Sequence, residues 1–79
     1  MTGSVDELLD QARSRRKLPL PAERRRIRET AGISLRDVAA AVGVSHAAVA
    51  NWEAGGMPRG KPRAAYVRLL DELKRLADS

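Results

Sequence analysis

A chain of 79 residues supplies one small domain, because the share of surface buried on folding falls as chains shorten. With no cysteine, one Trp, one Tyr and no Phe, it excludes disulfides, thiolate metal sites and a ring platform for single-stranded nucleic acid. The formal net charge of +5 favours polyanionic partners, and no stretch is apolar for long enough to cross a bilayer. The start, Met1 to Glu7, is polar and acidic, unlike a secretory signal. The lack of cysteine fits a cytoplasmic protein, and no cofactor, metal, membrane contact or small-molecule ligand is expected.

The apolar spacing is helical along the whole chain, and no alternating strand pattern appears. Residues 1–17 read as a leader helix in which Val5, Leu8, Leu9 and Ala12 share one face. Ser4 followed by Glu7 makes a capping-box start, in which hydroxyl and carboxylate each satisfy an exposed backbone N–H. The leader is expected to fade near Arg16 and to dock weakly, rather than to trail as a basic arm. Leu18-Pro19-Leu20-Pro21 breaks it, since each proline disfavours helix at the residue before it.

The domain proper covers residues 18–79. Its first helix begins at Pro21 and runs to about Ala31, where Gly32 provides a left-handed cap. Ser34 caps the next helix with Asp37 in its first turn, and Gly43 ends it. Ser45 caps a further helix to about Ala54, terminated by Gly55 and Gly56. Met57 to Lys61 is a basic loop rich in Pro and Gly. Pro62 opens a last helix over about 62–77, with Tyr66, Leu69, Leu70, Leu73 and Leu76 on one apolar stripe. That stripe is expected mainly to close the domain, with pairing to a second copy as the other use. Arg13, Arg15, Arg16, Lys17, Arg24, Arg25, Arg26 and Arg28 crowd the first third as a basic run, and Arg59, Lys61 and Arg63 form a second knot.

The informative stretch is residues 35–54, LRDVAAAVGVSHAAVANWEA. Counting Leu35 as first, small Ala39 sits fifth, where two steeply crossing helices approach closely. Gly43 sits ninth, in the turn, where a positive φ is cheapest. Val38, Val42, Val44, Val49 and Trp52 take the positions that a helix-turn-helix must bury. The order of caps, turn and apolar positions predicts an all-α domain of about five helices containing that unit.

The segment RRIRETAGISLRDVAAAVGVSHAAVANWEAGGMP, residues 25–58, resembles the XRE family of phage repressor and Cro-type DNA-binding domains. The matching pieces are IRxxAGIS, the helix-turn-helix and the WEAG ending. The resemblance implies a lambda-repressor-like compact bundle whose second unit helix lies in the major groove of double-stranded DNA. It places Ser45, His46, Ala47, Ala50 and Asn51 toward the groove. It also implies a structural salt bridge between Arg28 and Glu53. Relatives often carry Gln after the Ser that opens the first unit helix, as a phosphate contact. Leu35 stands there in this chain, so Arg36 or the basic loop takes that part.

The chemistry of these side chains is readable by itself. The Asn51 amide matches adenine N6 and N7, His46 can donate to guanine or phosphate, and Ala47 and Ala50 offer methyls to thymine. Ser45 caps its helix and touches phosphate. Arg36, Arg59, Lys61 and Arg63 form the expected phosphate set. Trp52 falls in the buried register and Tyr66 is core with its hydroxyl at the edge.

A single recognition helix reads too few base pairs for an operator, so a homodimer on a pseudo-palindrome is expected. The leading function is a sequence-specific transcription regulator, repressor or Cro-like, in the bacterial nucleoid or a phage-infected cell. A protein–protein adapter on the same scaffold and an antitoxin-type autorepressor are the alternatives. No nucleophile–base pair or phosphate-cradling glycine motif supports an enzyme.

Overall fold

Helix boundaries in this chain follow residues whose backbone chemistry starts or stops a helix. In the computed structural model, which describes residues 5–9 and 18–78, five helices occur and no strand is found among those residues. They are α1 over 5–9, α2 (Pro21–Thr30), α3 (Leu35–Val42), α4 (His46–Glu53) and α5 (Gly60–Asp78). Pro21 opens α2, where a missing N–H costs nothing. Ser34 and Asp37 form a reciprocal capping box at α3. Gly43, at φ +84°, closes α3 in the left-handed region, and Val44 N–H reaches back to the Ala39 carbonyl.

The four longer helices bury one cluster. Ile27 from α2, Val38 and Ala39 from α3, Val49 and Trp52 from α4, and Tyr66, Leu70 and Leu73 from α5 meet at its centre. The Trp52 and Tyr66 rings lie 4.8 Å apart and are tilted by 43°, which ties α4 to α5. Leu18, Ile33, Leu35, Val42, Val44, Ala48 and Leu69 pack partly buried around it. Val42 and Val44, expected inside, are therefore only half covered.

Several expectations change. The last helix starts at Gly60, two residues before Pro62, because a proline within the first turn removes an N–H that has no helical partner there. Leu76 is 70% exposed, so the apolar stripe of α5 ends at Leu73. At 1.5 Å per residue, 19 residues make a helix about 28 Å long, and its last turn borders a shallow cavity shared with Glu23, Arg26, Ile27 and Thr30 of α2. Val5, Leu8 and Leu9 of α1 are exposed, and the core closes without them. Ser4, Ala12 and the basic run Arg13 to Lys17 lie outside the described residues.

Candidate nucleic-acid interface

The helix α4 is divided lengthwise. Val49 and Trp52 are buried, whereas His46, Ala47, Ala50 and Asn51 are exposed. At 100° per residue those four occupy an arc of about 140°, a continuous outward face. Ser45 lies just before it, exposed, and its hydroxyl accepts from Ala48 N–H at 3.2 Å. Arg36, in the first turn of α3, is also exposed.

The inner face is fixed at its C-terminal end by two arginines of α2. Arg28 donates through Nε and Nη2 to both Glu53 carboxylate oxygens, at 2.6 and 3.0 Å, and through Nη1 to the Ile33 carbonyl at 2.9 Å. The fork-on-fork geometry is the strong form of such a pair. The bond to Glu53 raises Arg28 above its ordinary pKa, against the opposing effect of burial.

Arg24, four residues earlier, is 4% exposed and was counted in sequence only as part of the basic run. Its Nε donates to Pro19 O at 2.7 Å, and its Nη1 donates to Trp52 O at 2.9 Å and Gly56 O at 3.2 Å. A guanidinium at the carbonyl end of α4 complements the helix dipole. Burial lowers the Arg24 pKa, but a guanidinium remains charged throughout the physiological range. One signal in the sequence was available: Arg24 lies three residues before Ile27 and four before Arg28, on the inward face of α2.

The loop after α4 sorts the second basic knot. Arg59 and Lys61 are exposed on either side of Gly60, at the start of α5. Arg63 is buried at 7% exposure and turns back to donate to Pro58 O at 3.2 Å. It shares the inward face of α5 with Tyr66, Val67 and Leu70, at three, four and seven residues' distance. The structure therefore separates Arg63 from the exposed phosphate set and gives it to the loop's architecture. Tyr66 also differs from expectation, since its hydroxyl is buried and has no hydrogen-bond partner among the described residues. Burial, assisted by the charge of Glu53, pushes its pKa up to about 12.

The outward helix α4 is thus preceded by a tight glycine turn and backed by the partly buried Arg28–Glu53 pair. The helix-turn-helix family model covers residues 25–77. This chain belongs to the XRE-type helix-turn-helix family. No curated protein and no solved structure matches it significantly. As a helix-turn-helix protein it binds double-stranded DNA, and its family is one of regulators rather than enzymes. No helix among the described residues is long and apolar enough to cross a membrane.

Proposed function

We propose that the protein is a sequence-specific transcription regulator of the repressor or Cro kind, acting in the cytoplasm with α4 in the major groove. The observation that carries this reading is the division of α4, with Trp52 and Val49 inward and His46, Ala47, Ala50 and Asn51 outward. Asn51 is the bidentate reader, suited to adenine, and His46 donates to guanine or to phosphate. The methyls of Ala47 and Ala50 meet thymine. Ser45, Arg36, Arg59 and Lys61 contact phosphate, and the exposed N-terminus of α5 adds a favourable dipole.

A face with two alanines discriminates bases modestly, so DNA shape supplies part of the specificity. A homodimer on a pseudo-palindromic site doubles the number of base pairs read.

Selection of bound duplexes from a random pool tests the proposal. Enrichment of a site with two inverted halves about one helical turn apart is expected. Recovery of no preferred sequence would contradict it and favour an adapter that binds protein through α4. On the selected site, Lys61→Ala should reduce the slope of log affinity against log salt by about one, uniformly across sequences. An unchanged slope would remove Lys61 from the phosphate set.

A further inference from the structure

Four glycines have positive φ, and Gly56 is not one of them. Its backbone is open to any residue, so its identity needs another cause. That cause lies in space. A Cβ built on Gly56 would overlap the Asn51 side-chain Nδ2 and stand 2.8 Å from Asn51 Cγ and 3.0 Å from Asn51 O. The Asn51 amide thus rests against the bare α-carbon of Gly56.

Gly56 is itself held from both sides. Its N–H donates to Asn51 O at 2.8 Å, and its carbonyl accepts from buried Arg24 at 3.2 Å. The seat for the amide is accordingly fixed to α2 through Arg24 and to α4 through the Asn51 backbone.

We propose that Gly56 is a specificity-determining positioning residue, which seats the Asn51 amide for base reading by leaving vacant the space of a Cβ. The inference rests on the reading of Asn51 as a base contact and adds the device that orients it. A methyl at position 56 is accommodated by swinging the amide away, because the side-chain torsions of Asn51 are the softest coordinates in the overlap. The backbone carbonyl need yield only by a few tenths of an ångström. The fold then survives while the orientation of the reader changes.

The test uses the whole chain in two arms. In the free protein, NMR should show nuclear Overhauser contacts between the Asn51 side-chain amide protons and the Gly56 α-protons. In Gly56→Ala the amide protons should lose their contact to the α-proton at position 56 and change shift, with a melting temperature within a few degrees of the parent. On selected duplexes, Gly56→Ala should lose about 5- to 150-fold discrimination at one base pair, the same one as Asn51→Ala. The double variant should lose no more than Asn51→Ala alone, since both changes disable one contact.

Several results overturn the proposal. They are an amide that keeps its contact and shift in Gly56→Ala, an equal loss of affinity on every sequence, and additive losses in the double variant. Should Asn51→Ala leave base preference intact, Asn51 is no reader. The reading beneath the proposal then fails, and the proposal with it, whatever the free-protein spectra show of the seat.

Discussion

The two ends of α4 are held in different ways. At its N-terminal end the one side-chain bond is accepted by the hydroxyl of its own cap, Ser45, from Ala48 N–H, and residues 45–47 are exposed. Its C-terminal end is gripped by two arginines of α2, the partly buried Arg28 on the Glu53 carboxylate and the buried Arg24 on the carbonyls of Trp52 and Gly56. A helix anchored at one end and free at the other can enter a groove without disturbing its core. Arg24 and Arg28 of α2 fix the C-terminal end of α4, and the exposed arc lies on its outward side.

The contrast can be broken first at the anchored end. Arg28→Ala leaves Glu53 half-enclosed without its cation and should destabilise the fold by about 3–5 kcal/mol. Thermal or urea unfolding measures this, and a loss under about 1 kcal/mol would show that the pair does not hold α4. Arg24→Met keeps the stem but deserts three carbonyls, for an expected loss of about 1–3 kcal/mol. A loss equal to that of Arg28→Ala would mean that carbonyls anchor α4 as firmly as a carboxylate does.

At the open end, Ser45→Ala should cost only about 1 kcal/mol, read as a fall in melting temperature of about 4–8 °C. Destabilisation beyond that of Arg28→Ala would invert the comparison.

The smallest effect concerns Tyr66, which packs against Trp52 at the anchored end. Its folded pKa stands near 12 against an ordinary value of 10.0. Its neutral form is therefore favoured in the fold. The stabilisation is complete below pH 10 and is lost as pH rises toward 12. Tyr66→Phe should be near neutral at pH 7, since the hydroxyl it removes has no partner among the described residues. Between pH 10 and 12 the difference in stability between parent and variant should move in the variant's favour. A constant difference across that range would place the phenol in water.

Local signals were legible in the sequence. Ser34, Gly43 and Ser45 act within a few residues of themselves, and their caps appear where spacing put them. The opposite facing of Trp52 and Asn51 followed from helical register. Arg28 and Glu53 are 25 residues apart, and their pairing was implied by family resemblance rather than by spacing.

Arg24 and Arg63 were opaque for a related reason. A buried arginine and a solvated one look alike until the distant carbonyls that receive them are known, and Trp52 O lies 28 residues from Arg24. Composition reads both as surface charge, whereas their periodicity with Ile27 and Tyr66 places them inward. Gly56 was read as a helix stop, and its contact with the Asn51 amide became visible only in three dimensions. The exposed apolar residues of α1 show the converse limit, since a helical face does not say what it packs against.

Amide NMR spectra recorded while a selected duplex is titrated into the protein would test the orientation of α4 most directly. The largest shifts should fall on residues 45–47, 50–51 and 59–61, with the last two turns of α5 unmoved. Perturbations centred on Arg68, Leu69 and Glu72, with α4 silent, would contradict it.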